Sequence, residues 1–234
     1  MMNRKRFLCC VGSGIMGLCA GLSGNLIAEE NQKRNQSENQ NDTQEIDILW
    51  VGDSITDNWD NTPENLAVWK KYFGQYRMLN IGLGGISSAQ CLARIDSPAT
   101  KNISPRMIIV MIGTNDVGYL KMQPEVAIEG NRKILARLRT RWPEARILHL
   151  AVFPSDPHDP TPQSARRQRI LKVNEALPAM SDGKNIVFMN IHDLFMDQDG
   201  IMHRETHPDL VHPNAAGYEI WAKAIAPTVN EWLK

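Results

Sequence analysis

Five short apolar runs recur along the chain: IDILWVG at 46–52, YRMLNIG at 76–82, RMIIVMIG at 106–113, ARILHLAV at 145–152 and NIVFMNI at 185–191. A strand exposed on one face alternates apolar with polar residues, whereas a strand covered on both faces reads as a continuous apolar run, as these do. The stretches between them carry helical signals. Thr62, Pro63 and Glu64 supply an N-cap, a first-turn proline and an acid ahead of Leu66, Trp69 and Phe73 at helical spacing. Ile134, Leu135 and Leu138 share a face of 124–141, Ile170, Val173 and Leu177 a face of 164–177, and Ile220, Trp221, Ala224 and Ile225 a face of the segment from Pro213 onward. A weaker pattern runs from Ser87 to Ile95. Strand and helix in alternation predict a five-stranded, mainly parallel sheet with helices on both faces. Ligands of such sheets bind beyond the carboxyl ends of the strands, so chemistry is sought there.

The chain divides before this pattern begins. Arg4, Lys5 and Arg6 precede 22 uncharged residues, 7–28, the profile of an export signal with cleavage after Ala28. An uncleaved membrane anchor is the alternative, since 22 residues could span a bilayer as a helix, although five glycines among them weaken a permanent one. Residues 29–44, EENQKRNQSENQNDTQ, contain no apolar side chain and read as a disordered tether. One domain is expected from 45 to 234.

Charge and cysteine content narrow the function classes. The full chain has 26 basic and 26 acidic residues, and without residues 1–28 it carries 23 against 26, a net −3, so no basic excess favours nucleic acid as a partner. Cys9, Cys10 and Cys19 lie in the leader, which leaves Cys91 alone and no intrachain disulfide in the processed chain. Gly12, Gly14 and Gly17 form a GxGxxG pattern, but no strand precedes it and a dinucleotide site is not expected.

Reactive residues and glycines follow four of the strand ends. Gly52-Asp53-Ser54-Ile55-Thr56 follows the first run, Asn80-Ile81-Gly82-Leu83-Gly84-Gly85 the second and Gly113-Thr114-Asn115-Asp116 the third, while the fifth leads into Asp209-Leu210-Val211-His212-Pro213-Asn214. Acyl transfer needs a hydroxyl nucleophile, a base, a group that orients the base and donors for the oxyanion. Ser54 is the candidate nucleophile, His212 the base and Asp209 its orienting acid. The Ser54 N–H, the Gly85 N–H and the Asn115 side-chain amide are the candidate oxyanion donors, with Gly84 competing for the glycine role. Asp53 reads as a structural acid.

GDSIT, NIGLGG, GTND and DLVHPN, in that order, make the sequence resemble the SGNH, or GDSL-type, hydrolase superfamily over nearly all of 46–234. Within it, LWVGDSITDNW at 49–59, AVFPSDP at 151–157, RRQRILKVNEAL at 166–177 and PDLVHPNAAGYEIWAKAI at 208–225 are similar to bacterial relatives of the catalytic subunits of platelet-activating-factor acetylhydrolase Ib. The resemblance implies a three-layer α/β/α, flavodoxin-like fold, hydrolysis of small acyl esters without a metal or other cofactor, and a homodimer as a plausible assembly. One departure stands out: Ile86 occupies a position where relatives often carry an acid. The expected function is an exported serine esterase acting on acetyl esters, with acetylated carbohydrate as the substrate and short-chain lipid esters as the alternative.

Two rivals belong to other classes. A silent carbohydrate-binding protein on the same fold would have no reason to keep every triad member. A metal hydrolase would use His203, His207, Asp209 and His212, but Pro208 interrupts their helical face and GDSIT and GTND would then have no role. His149 is expected to be a core or helix-facing histidine, and Trp50, Trp59 and Trp69 to be core rather than a substrate platform.

Overall fold

The computed structural model describes residues 43–234. The expected leader, the GxGxxG pattern and all of the polar stretch up to residue 42 lie outside the described residues. The five strands are β1 (Gln44–Gly52), β2 (Met78–Asn80), β3 (Ile103–Met111), β4 (Arg146–Leu150) and β5 (Ile186–Met189). All pair in parallel, in the order β2-β1-β3-β4-β5. The first strand takes in Gln44, placed in the tether by composition, because it pairs with Ile103 of β3.

Among the described residues the α-helices are α1 (Ser54–Asp57), α2 (Pro63–Phe73), α3 (Ser88–Ile95), α4 (Thr114–Val117), α5 (Pro124–Arg141), α6 (Ala165–Ala176) and α7 (Ala215–Trp232). Local chemistry sets several of their starts. Thr62 accepts from the Asn65 N–H at 3.2 Å, and Ser87 and Gln90 close a reciprocal capping box ahead of α3. The last helix begins two residues later than Pro213, because the Asn214 side chain caps it by accepting from the Ala216 and Gly217 N–H groups. The four-residue helices α1 and α4 are too short for a periodic signal and were not expected.

Alternate strand residues feed opposite layers. Ile48, Trp50, Met107, Ile109 and Leu148 pack with Trp69 and Phe73 of α2 and with Trp221 and Ile225 of α7. Leu49, Val51, Ile108, Val110 and Ile147 pack with Cys91 of α3 and with Ile134 and Leu138 of α5. The sheet is therefore covered on both faces, the physical reason its strands have no polar alternation. Trp50, Trp59 and Trp69 are core, as expected: Trp59 lies 4.5 Å from the Tyr218 ring and 4.9 Å from Trp221, centre to centre.

β1 connects outward to β2, while β3 lies on its other side. The sheet order thus reverses beside β1, and the loops leaving β1 and β3 diverge to open a crevice at their carboxyl ends. Ser54 follows β1 and Asn115 follows β3 at this edge of the sheet.

Candidate active site

The turn after β1 is built around a close approach. A Cβ on Gly52 would meet the Thr56 hydroxyl at 2.1 Å and the Met111 carbonyl at 2.5 Å, so only glycine lets β1 finish there. Asp53 then caps α1, its Oδ1 accepting from the Ile55 N–H at 3.0 Å, and Ser54 becomes the first residue of that helix. The Tyr218 hydroxyl donates to the Ile55 carbonyl at 2.7 Å and ties the same turn to α7. Ser54 is thus held from below by core elements while its side chain stays partly accessible.

His212 and Asp209 arrive from the loop ahead of α7. Leu210, buried between them, has φ of 57°, a left-handed conformation that costs a branched side chain about 1–3 kcal/mol. The bend lets the Asp209 carboxylate accept from three donors: its Oδ1 takes the Val211 N–H at 2.9 Å and the His212 N–H at 2.7 Å, and its Oδ2 faces His212 Nδ1 at 2.7 Å. On the far side of the ring, His212 Nε2 lies 2.8 Å from Ser54 Oγ. Partial burial would raise the Asp209 carboxyl, but these bonds to the charged form outweigh it and hold the group below its ordinary range.

The glycine loop after β2 decides between the two candidate donors. The Gly84 N–H donates to Asp57 Oδ2 at 3.0 Å and is occupied. Gly85, with φ of 76°, makes no hydrogen bond through its N–H, and no neighbour lies within 4 Å of where a Cβ would be. Asn115 sits on α4, and its amide donates one N–H to the Ile86 carbonyl at 2.9 Å, which anchors it to this loop and leaves its second N–H for another acceptor. The following Asp116 is not free for chemistry: it is buried and accepts from the Ser88 N–H and hydroxyl, at 2.9 and 2.7 Å.

Sequence patterns brought Ser54, Asp209, His212, Gly85 and Asn115 to attention, and all five lie at the carboxyl edge of the sheet or in its flanking loops. Asp57 was missed. Its signal was its place three residues after Ser54, on the same helical turn. The loop 153–163 also touches the site: the Asp156 N–H donates to the Leu210 carbonyl at 3.0 Å.

The rival ligand set does not converge. His203 Nε2 is 3.0 Å from Asp197, His207 is buried with its Nδ1 3.1 Å from the Thr206 hydroxyl, and His212 faces Ser54. Among the described residues no group of three or more His, Cys, Asp or Glu side chains is placed to hold a metal ion.

Buried ionisable groups give the domain a defined pH response. Burial pulls His149 and His207 down from the ordinary 6.5 to about 4. His149 is indeed helix-facing, with its Nε2 2.9 Å from Asn131 of α5. Burial pushes Asp53 the other way, from 3.8 up to about 6, although the Ile55 N–H, the nearby Thr114 hydroxyl and the His212 charge favour its ionised form. The Thr114 hydroxyl lies close without completing a hydrogen bond to the second Asp53 oxygen. Each histidine therefore contributes stability that is complete above pH 6.5 and is lost as pH falls towards about 4. Asp53 does the reverse: its bound proton favours folding at low pH, and that contribution is lost as pH rises from 3.8 through about 6. Between roughly pH 4 and 6 the two histidines each give a slope of about +1.4 kcal/mol per pH unit and Asp53 one of about −1.4; burial also lowers His192 and raises Asp60, which add slopes of opposite sign. Asp53→Asn keeps an oxygen for Ile55 and removes the opposing slope. Urea unfolding at several pH values in this window should show stability rising more steeply in the variant, by about 1.4 kcal/mol per pH unit; parallel slopes would mean that Asp53 does not hold the proton.

The fold and the hydrogen-bonded Ser, His and Asp at its edge point to the class of three-layer α/β/α hydrolases. Residues 50–220 match the GDSL-like lipase/acylhydrolase family. The chain belongs to that family and is a carboxylic ester hydrolase. It is 28% identical over 192 residues to platelet-activating factor acetylhydrolase IB subunit alpha2 of Rattus norvegicus, a match covering 81% of this chain and 79% of that protein. A GDSL-like lipase from Bacteroides thetaiotaomicron has a TM-score of 0.64 at 18% identity, covering 86% of this chain and 98% of that one. The acetylxylan esterase Axe2 from Geobacillus stearothermophilus has a TM-score of 0.58 at 18% identity, covering 82% and 99%. At these identities the two structures are alike in fold alone.

Proposed function

We propose that the chain is an exported serine esterase that removes acetyl groups from carbohydrate through an acyl-enzyme. The observation that carries the mechanism is the continuous chain Ser54 Oγ, His212 Nε2, His212 Nδ1, Asp209 Oδ2, with separations of 2.8 and 2.7 Å across its two hydrogen bonds. Ser54 attacks the ester carbonyl as His212 takes its proton, and Asp209 stabilises the imidazolium. The Ser54 N–H, the Gly85 N–H and the Asn115 amide stabilise the oxyanion, a donor of this kind being worth about 2.7–4 kcal/mol in the transition state. His212 returns the proton to the leaving alcohol, and water, activated by the same histidine, releases acetate and restores Ser54.

Room for the alcohol part of the ester is given by a cleft of about 560 Å³ beside His212, where Asn58, Asn61, Thr62, Glu64 and Asn214 stand among Pro208, Pro213, Ala215 and Ala216 and most of the open surface is apolar. Such a mixture suits a sugar ring, which presents hydroxyls at its edge and an apolar face. An acetyl group as the acid part is in keeping with the acetylhydrolase and acetylxylan esterase names of the proteins it resembles. A fluorophosphonate should label the protein once, at Ser54, with or without chelator; acetyl-ester turnover by protein that stays unlabelled at Ser54 would defeat the mechanism. Export rests on the three basic residues and the uncharged stretch 7–28. Mass spectrometry of the chain recovered outside the cytoplasm should find it beginning at Glu29.

A further inference from the structure

A second cleft, of about 650 Å³, opens between the segment after α4 and the start of α6, and its charges have no use in the chemistry above. Lys121, His158, Arg166 and Arg169 line it, with Asp156 as the acid among them. The Asp156 carboxylate is already engaged, accepting from the Ser164 hydroxyl at 2.6 Å and from the His158 N–H at 3.0 Å. Arg169 is steadied by donating to the Val117 carbonyl at 2.7 Å.

Arg166 is different. It is partly buried, yet it makes no hydrogen bond or ion pair with any described residue, and its Nε–H is buried without an acceptor. A desolvated guanidinium with unused donors carries a penalty that an anionic oxygen group relieves by accepting from two of them at once. The space it occupies is kept open for it: a Cβ on Gly118 would lie 2.4 Å from both its Cζ and its Nε. Beside it Tyr119 exposes 78% of its surface, an unusual position for an aromatic ring and one suited to lying against the face of a sugar. The cleft is joined to the proposed catalytic residues on two sides, through α4, which carries Asn115, and through Asp156, which is hydrogen-bonded to the Leu210 carbonyl.

We propose that this cleft is a subsite for an anionic group on the alcohol part of the ester, the carboxylate or sulfate of an acidic sugar, with Arg166 and Lys121 as its principal contacts. The inference rests on the acetyl-carbohydrate reading, since an acetyl group has no charge of its own and the anion then belongs to the alcohol.

The test measures acetate release by the purified protein from O-acetylated polygalacturonate, O-acetylated carrageenan and O-acetylated glucomannan, which carry carboxylate, sulfate and no charge. At low salt, kcat/KM on one of the charged polymers should exceed that on the neutral polymer at least tenfold, and which one identifies the anion. Arg166→Gln should lower this preference at least tenfold, as should Lys121→Gln, whose exposed side chain makes it the safer variant for folding. Equal rates on charged and neutral polymers, or variants that slow both alike, would overturn the subsite. Failure of the esterase reading is separable, because calorimetry with Ser54→Ala and the deacetylated polymers reads the subsite without turnover. Binding of a polyanion that Arg166→Gln weakens upholds it even if no acetate is released, and absence of binding refutes it.

Discussion

Ser54→Ala should lower kcat on p-nitrophenyl acetate by about 10³- to 10⁶-fold and leave thermal stability nearly unchanged. The size follows from what is removed. In the proposed mechanism no acyl-enzyme forms without the hydroxyl, and His212 Nε2, 2.8 Å from Ser54 Oγ, has no nucleophile to activate. The donors for the oxyanion remain, so a residual rate over water is expected from them alone. Stability is spared because the turn is held by groups other than the hydroxyl: Asp53 on the Ile55 N–H and Tyr218 on the Ile55 carbonyl. Steady-state kinetics with chelator present, beside a melting curve, check both halves. Equal nonzero rates for the two proteins would remove Ser54 from the role of nucleophile.

The second large effect comes from a change of one atom. Asp209→Asn should lower kcat by about 10³- to 10⁴-fold with little change in KM. The carboxylate uses Oδ1 for the Val211 and His212 N–H groups and Oδ2 for His212 Nδ1. In the variant the amide oxygen stays with the two backbone donors, which turns the NH₂ towards the ring. A donor there requires Nδ1 to accept, so the ring proton moves to Nε2, the atom that must receive the proton from Ser54. The loop keeps its bonds and the base is lost, so unchanged urea unfolding beside the lost rate distinguishes a tautomer effect from collapse of the loop. A loss under tenfold would mean that Asp209 shapes the loop without directing His212.

Much of this architecture was legible before any coordinates because burial imprints a local period. A strand covered on both faces must be apolar throughout and a helix lying on it must be apolar every third or fourth residue, and both signals fit in a window of a dozen residues. The short α1 and α4 left no such imprint, and the exact starts of β1 and α7 were decided by a single pairing partner and a single capping side chain. The catalytic candidates were legible for another reason: a serine two residues after the glycine that ends β1, an asparagine two residues after a glycine just beyond β3, and an Asp three residues before a His carry, in that order, the resemblance to the GDSL-type hydrolases.

The amino-acid sequence by itself determined the layered α/β class, the five strands and the candidate residues that follow their carboxyl ends. Tertiary structure decided which groups are free to act there, because that depends on partners far away in the chain. Ser54 and His212 are 158 positions apart and meet only through the sheet. Asp57 occupies the Gly84 N–H from 27 residues away and so leaves Gly85 as the available donor. Arg166 looks like any charged helical residue in the sequence. Packed against Gly118, with no acceptor for its buried Nε–H, it becomes an unpaired cation beside the site, and a hydrogen bond that is missing in three dimensions has no signature in one.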